Sequence, residues 1–478
     1  MNQKQYNMLI NGELVSASST FSVVNPDNEN VLASVPQVEA SQVELALNSA
    51  HSSFDVWAAT SLAKRTELML EYATVLEQHK DEIVDILISE TGKPLDNAEY
   101  DFGMLTTCLR YFVEEAKRIE QPVIIDPDGR FHHYVQRQPL GVVVGFLAWN
   151  FPLLNFGYKL APALAAGCTS IIKPSQVTPL ATLRCAELAL KVGFPAGVIN
   201  VITSNDYDVT NPLLTSAIPS LFTMIGSTNS GIKAMQTACT SIKHFSVELG
   251  GNAPVVVYDD ADVKKAAQNI IDLKFANSGQ VCVSPNRCFV HESVYQEFLA
   301  QAKAHAEGLV LGAGRKEGRL MGPVINEKER TRILGLINGA IAGGAKAELG
   351  GAVPAELTQG FYLEPTILSG VSLDMGVARE EIFGPVLPVI PYSDKDDVIA
   401  LANDCEFGLA AYVYTTNLQR GMRAANEIQA GSVCVNEVHY AVQLPHGGLK
   451  QSGVGKDCSR YSLEEYLTNK RVSILVND

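Results

Sequence analysis

The chain is short of positive charge, of long apolar runs and of any paired-cysteine pattern. Among its 478 residues, 37 lysines and arginines stand against 52 aspartates and glutamates, for a formal net charge of −15. Phosphate contacts need clustered cations, and with no basic run the sequence argues against a nucleic-acid partner. The nine cysteines are odd in number and scattered, without a C-x-x-C pair. A disulfide framework is therefore not expected, nor is a metal, and a reducing compartment, the cytoplasm, is the expected location. The first residues, MNQKQYNMLINGELVS, lack the charged-then-apolar order of an export signal.

One stretch, between Arg137 and Lys159, holds 21 consecutive uncharged residues, on paper enough for a bilayer crossing of about 20 residues. Gly141, Gly145, Asn150, Pro152, Asn155 and Gly157 interrupt it. It reads instead as a buried strand, an irregular turn and a buried helix, with no membrane partner. Repeats, low-complexity tracts and Pro/Ser-rich linkers are absent too, so the two or three packing units that this length implies must be intimately joined. What is present is globular: 46% hydrophobic residues, 19% charged, and ordinary numbers of glycine and proline.

From Ser41 to Phe112 apolar residues recur at helical spacing, clearest in 66–76 and 82–88, and Gly92 with Pro94 marks a stop. From about Leu140 to Val257 short β-rich runs alternate with helical ones. The runs are 142–144, 170–172, 198–202, 221–224 and 255–257, and 179–192 is a typical intervening helix. Strands that are nearly continuous in apolar residues imply a parallel sheet covered on both faces, which binds ligands at the carboxyl ends of its strands. A second helix–strand alternation runs from Asp262 to about Gly431. The tail run Arg471–Val476 has no partner nearby in sequence and is expected to pair with 130–138 or with another subunit.

Several residues have the types that chemistry needs. Gly226-Ser-Thr-Asn-Ser-Gly231 follows a strand and precedes a helix pattern, so its amides could meet a phosphate; alone, such a turn is more often only a turn. Lys173-Pro-Ser175 at a strand end is equally ambiguous. Cys282 follows the helical run 263–275 and lies three residues after Gly279, where a thiol could use its own N–H as an oxyanion donor. Cys288 reads as strand core. Glu248 ends an apolar strand before Gly250 and Gly251. By itself it is a salt-bridged strand-end acid, yet the glycines would let another group approach an acid fit to serve as general base.

Seven motifs occur in one order along the chain: AWNFP (148–152), IIKPS (171–175), IGSTNSG (225–231), ELGG (248–251), SGQVC (278–282), EEIFGPV (380–386) and PHGGLKQSGVGKD (445–457). In these, over essentially its whole length, the chain resembles the aldehyde dehydrogenase superfamily. The resemblance implies an α/β fold with a Rossmann-type cofactor domain (1–118 and 139–250), a second α/β catalytic domain (251–446) and a small β oligomerisation arm (119–138 and 461–478). It makes Cys282 the nucleophile, Glu248 the general base and Asn150 the oxyanion donor, with Lys159 and Asp457 at positions sometimes assigned to a proton relay. Trp149, Lys173, Ser175, Gln176, Gly226, Ser227, Leu249, Glu381 and Phe383 would hold the cofactor, and Tyr158, Ala276, Val281 and Val283 would line the substrate pocket. The implied reaction is NAD(P)-dependent oxidation of an aldehyde to the acid, through a thiohemiacetal and a thioester on Cys282. Coenzyme A-acylating relatives tend to lack the glutamate, so Glu248 favours hydrolysis. A CoA-acylating semialdehyde dehydrogenase and a non-catalytic binding protein remain the alternatives.

Finer choices stay open. NAD-preferring relatives carry a glutamate three residues after the lysine, where this chain has Gln176; both NAD and NADP are admitted, with a weak lean to NAD. The C-terminal motif looks like that of aminobutyraldehyde and betaine-aldehyde relatives. Succinic semialdehyde relatives place arginines where this chain has Tyr158 and Ala276, and neither residue grips a carboxylate. A short neutral or hydroxy-aldehyde and a homodimer or homotetramer are the expectations.

Overall fold

A computed structural model describes residues 5–477. Residues 1–4 and 478, at the outer ends of the expected cofactor domain and arm, lie outside the described residues. The stretch with helical spacing forms four helices, Ala40–Ala59, Leu62–Gln78, Lys80–Thr91 and Leu95–Ala116. The third ends at Gly92, whose φ of 70° is the left-handed cap that glycine favours.

The first sheet has eight strands. Its parallel core runs, in spatial order, Ile199–Val201, Thr169–Lys173, Val142–Phe146, Pro219–Ile225, His244–Glu248. Val142–Phe146 comes first in the chain but lies in the middle, so the two halves diverge from it and leave a crevice at the strands' carboxyl ends. Antiparallel strands close both edges, Met8–Ile10 with Glu13–Val15 on one side and Gly453–Val454 on the other. The uncharged stretch 138–158 continues from Val142–Phe146 through a turn into the helix Pro152–Ala166. Among the described residues no helix is long and apolar enough to cross a membrane.

The strand Ala253–Val257, which the pattern of apolar runs groups with the first sheet and the domain bounds place in the second unit, lies in the second sheet, between Pro285–His291 and Ala410–Tyr414. A short apolar run suits any parallel strand covered on both faces, so periodicity cannot choose its sheet. The chain changes sheets over 249–252, where Gly250 and Gly251 lie. Val386–Tyr392, Thr366–Ser369 and Lys346–Leu349 extend this seven-stranded sheet on one side and Ser432–Val435 on the other. The tail strand Leu467–Leu475 pairs antiparallel with Phe131–Pro139, Arg471 opposite Val135, within the same chain.

A buried polar cluster fixes the helix that carries the AWNFP turn. Lys93 Nζ lies 2.5 Å from Asp101 Oδ2 and 3.9 Å from the centre of the Phe151 ring. Asp101 Oδ1 accepts from Leu154 N at 2.7 Å, so a carboxylate sits at the first turn of Pro152–Ala166, the end where helix dipoles favour negative charge.

Candidate active site

Cys282 stands just past a tight turn in which Asn277, Ser278 and Gly279 all have positive φ, at 47°, 59° and 73°. Two of the three are not glycine, so the turn is held in a costly conformation by its contacts. Ser278 Oγ donates to Gly322 O at 2.7 Å, and Asn277 N donates to Asn97 Oδ1 at 2.7 Å. Asn277 Nδ2 reaches Asn150 O at 3.0 Å and Asn150 Nδ2 reaches Gln280 O at 3.1 Å. These bonds tie the AWNFP turn to the cysteine turn. Two glycines set the remaining distances: a Cβ at Gly251 would lie 2.2 Å from the Cys282 carbonyl oxygen, and one at Gly279 would lie 2.1 Å from that of Gly384.

Glu248 ends its strand beside the sulfur. Its Oε1 is buried and accepts no hydrogen bond, with His446 Nε2 at an ion-pair separation of 3.6 Å. His446 Nε2 is also 3.9 Å from Cys282 Sγ. Burial alone would raise the Glu248 carboxyl, but the His446 imidazole, the Cys282 thiol and the Lys159 charge outweigh it and hold the group below its ordinary value, ionised at neutral pH. Burial and then the Glu248 charge push the Cys282 thiol well up. Burial lowers His446, yet the Glu248 carboxylate brings it to a net rise.

A cavity of about 350 Å³ opens over these groups. Cys282, Glu248 and Asn150 line it together with Trp149, Glu381 and Phe383. Trp149 and Phe383 meet edge to face, centroids 5.2 Å apart. Glu381 Oε1 accepts from Gly251 N at 2.8 Å, and burial raises its carboxyl to about 7. Gly226, Ser227 and Leu249 complete the wall expected for a cofactor. A second cavity, of about 250 Å³, is lined by Lys173, Ser175 and Gln176. Met224 and Ser230 line the second while Ile225, Gly226, Ser227 and Asn229 line the first, so the two adjoin along this turn. Ser227 Oγ caps the helix Thr228–Ala238, accepting from Ser230 N. Gln176 Oε1 is buried without a partner, and burial brings the Lys173 ammonium down to about 8.

The other expected site residues stand apart from these cavities. Lys159 Nζ is bonded to both Asp457 oxygens, at 2.7 and 2.8 Å, in a buried pair. Tyr158 reaches the site through the His446 ring, 6.2 Å away. Ala276, Val281 and Val283 line neither cavity; Val283 O accepts from Tyr412 Oη at 2.7 Å. Sequence reasoning gave no role to three groups found here. His446 was one letter of the PHGG motif, though a histidine beside two glycines was a visible signal. Lys233 lines the second cavity. Arg332 lines the first and donates to Ile382 O at 2.6 Å, bracing the Phe383 turn.

A thiol and a carboxylate facing one cavity, which leads to a lysine-bearing cleft in the crevice of a doubly wound sheet, define a nucleotide-dependent α/β enzyme with a cysteine nucleophile. Residues 14–472 match the aldehyde dehydrogenase family, and the chain belongs to that family. It is 39% identical to a mitochondrial succinate-semialdehyde dehydrogenase of Oryza sativa subsp. japonica, over 97% of this chain and 88% of the relative. It is 37% identical to a 3-sulfolactaldehyde dehydrogenase of Pseudomonas putida, over 97% and 96%. The crystal structure of an E. coli NADP-dependent enzyme superposes with a TM-score of 0.97 at 36% identity, covering 99% of each chain. The expected fold is thus observed, and the chain is an NAD(P)-dependent aldehyde dehydrogenase.

Proposed function

We propose that this enzyme oxidises a short neutral or hydroxy-substituted aldehyde to the carboxylic acid, through a thioester on Cys282 that water hydrolyses with Glu248 as base. The observation that carries the reading is the single cavity lined at once by Cys282, Glu248, Asn150 and the Trp149–Phe383 ring pair. The residues fit a dinucleotide. The orphaned Gln176 Oε1 suits a ribose hydroxyl, and the capped N-terminus of Thr228–Ala238 suits a phosphate. Glu381 and Phe383 would hold the nicotinamide end, and Lys173 with Ser175 the adenosine end. When bound, the nicotinamide would supply the hydride acceptor for the carbon attached to Cys282.

The protein's own groups supply the rest. Cys282 Sγ bonds to the aldehyde carbon as its proton leaves to the water of the open cavity. The carbonyl oxygen becomes an oxyanion, which accepts hydrogen bonds from the Asn150 side-chain N–H and the Cys282 backbone N–H; such a donor contributes about 3 kcal/mol. Glu248 then takes a proton from water, the water oxygen bonds to the thioester carbon, and the carbon–sulfur bond breaks to release the acid. Lys159, closed on Asp457, acts here through its charge on Glu248 rather than as a relay.

For the cofactor, among the described residues no acidic side chain lines the adenosine-side cavity and two lysines, 173 and 233, do. This supports use of both NAD and NADP and weakens the lean to NAD. For the substrate, Tyr158 and Ala276 supply no cation, whereas the rice and Pseudomonas relatives, a succinate-semialdehyde and a 3-sulfolactaldehyde dehydrogenase, are named for acidic aldehydes. Nine free cysteines support a cytoplasmic location. The edge strand Leu467–Leu475, mostly exposed, supports an arm that joins two subunits, and with it a homodimer or homotetramer.

A panel of short aldehydes differing in terminal charge, run with each cofactor, tests the substrate; a higher kcat/KM for succinic semialdehyde than for any neutral aldehyde would overturn that assignment. Glu248→Gln tests the mechanism. It should keep a single-turnover burst of reduced cofactor and lose steady-state turnover; a vanished burst would put Glu248 before hydride transfer.

A further inference from the structure

The groups around the nucleophile also compose a donor set that the dehydrogenase reaction does not call for. Glu248, Cys282 and His446 each offer one ligand-type atom, and these atoms lie within 4.8 Å of one another. Among the described residues no other three His, Cys, Asp or Glu side chains converge so closely. The two measured edges, 3.9 Å from Cys282 Sγ to His446 Nε2 and 3.6 Å from His446 Nε2 to Glu248 Oε1, are long for hydrogen bonds. Glu248 Oε1 is buried and lacks a hydrogen-bond partner of normal geometry, so a lone pair there has no close donor. A cation held among the three would remove that deficit.

The spacing favours one kind of cation. Zinc bonds of about 2.3 Å to sulfur and about 2.0 Å to imidazole nitrogen and carboxylate oxygen put the corners of a tetrahedral site roughly 3.3–3.6 Å apart. The two measured edges exceed this by at most a few tenths of an ångström, and all three side chains end in rotatable bonds. Thiolate, imidazole and carboxylate together match a borderline-soft ion; magnesium and calcium ask for an all-oxygen shell.

We propose that Glu248, Cys282 and His446 form a zinc-binding site in the resting enzyme, and that its occupation reversibly silences the nucleophile. On binding, the Cys282 S–H bond breaks and the sulfur bonds to the ion, and the thiol proton and any proton on His446 Nε2 go to solvent. His446 binds as neutral imidazole through Nε2 and Glu248 binds as carboxylate, while water takes the fourth position on the cavity side. No electron moves. A sulfur so held cannot attack an aldehyde, and a carboxylate so held cannot accept a proton from water. The site belongs to the resting protein and is independent of which aldehyde is oxidised.

The test reads Cys282 itself, because exposed thiols such as Cys239 bind zinc too. The full-length enzyme is incubated with graded zinc chloride, alkylated with iodoacetamide, and the label on the Cys282 peptide is quantified. Low-micromolar zinc should protect Cys282 and abolish turnover together, and EDTA should restore both. Cobalt(II) in place of zinc should give a sulfur-to-metal charge-transfer band. In His446→Phe and His446→Gln the zinc concentration for half-protection should rise at least roughly tenfold to hundredfold, the range seen when even outer partners of a ligand are lost. Two variants guard against misfolding in one, and alkylation without zinc verifies that each keeps an accessible Cys282. Zinc that leaves Cys282 open to alkylation, or that protects it equally in both variants, overturns the proposal.

Discussion

Gly251→Ala isolates how far the nucleophile's position depends on backbone packing alone. A Cβ at 251 would sit 2.2 Å from the Cys282 carbonyl oxygen, and ordinary contact begins roughly 1 Å further out. The obstacle is backbone on both sides, so the Cys282 turn must retreat by about that amount. Displacing a reacting atom by about 1 Å costs on the order of a hundredfold in rate. The same residue donates its N–H to Glu381 Oε1 at 2.8 Å, so the shift also disturbs the carboxylate assigned to the nicotinamide ribose. Overpacking of this kind costs about 1–3 kcal/mol in stability. The assay is kcat at saturating cofactor and aldehyde, with denaturant unfolding alongside. Gly335→Ala is the control, in the helix Glu327–Ala342 with nothing within 4 Å of its added methyl. It should leave kcat unchanged and stabilise by about 0.5–1 kcal/mol. A Gly251→Ala enzyme as fast as the parent refutes the reasoning.

Lys173 and Asp101 carry the other expectations. Burial lowers the Lys173 ammonium to about 8, so it is a cation below that pH and loses its charge above it. kcat/KM reports groups of the free enzyme, and with NADP it should fall through this range more steeply than with NAD; Lys173→Met should abolish the difference, and parallel profiles in the parent would count against a lysine–phosphate contact. Asp101→Ala leaves the Lys93 ammonium, paired at 2.5 Å in the parent, buried and alone. Denaturant unfolding should show a loss of about 3–5 kcal/mol, and the double variant Lys93→Met/Asp101→Leu should recover most of it. A loss confined to the noise of the extrapolation would mean that the two groups are not ionised in the folded protein.

What could be read beforehand follows from the range of the interactions. Strands such as Val142–Phe146 and Thr169–Lys173 are buried at every position, and local composition reports that directly. The same continuity could not by itself place Ala253–Val257, since nothing in a run of valines says which of two covered sheets it enters; only the domain bounds implied by the resemblance set it in the second unit. That Cys282, Glu248 and Asn150 share one cavity was legible through motif resemblance, each motif being short and local. The Lys93–Asp101 pair was not, because its third partner, Leu154 N, is 53 residues away and a buried lysine looks like any other in the text. His446 escaped for a different reason: its meaning lies in its distance to a sulfur 164 positions earlier.

The glycines explain why the motifs are spelled as they are. Gly251 of ELGG lies against the carbonyl of Cys282, the last residue of SGQVC, and Gly279 of SGQVC lies against the carbonyl of Gly384 in EEIFGPV. Three motifs from distant parts of the chain thus interlock main chain to main chain, with no room for a side chain between them. AWNFP joins by hydrogen bonds instead, through Asn150, Asn277 and the Gln280 carbonyl. The chemistry needs only a sulfur, a carboxylate and an amide, and those three could be placed in many ways. Holding them within an ångström demands backbone contact, because side-chain contacts between loops leave rotamers to choose from. The glycines of these motifs therefore record packing as much as catalysis, and substitutions at Gly251 and Gly279 should harm turnover although neither residue carries a reacting atom.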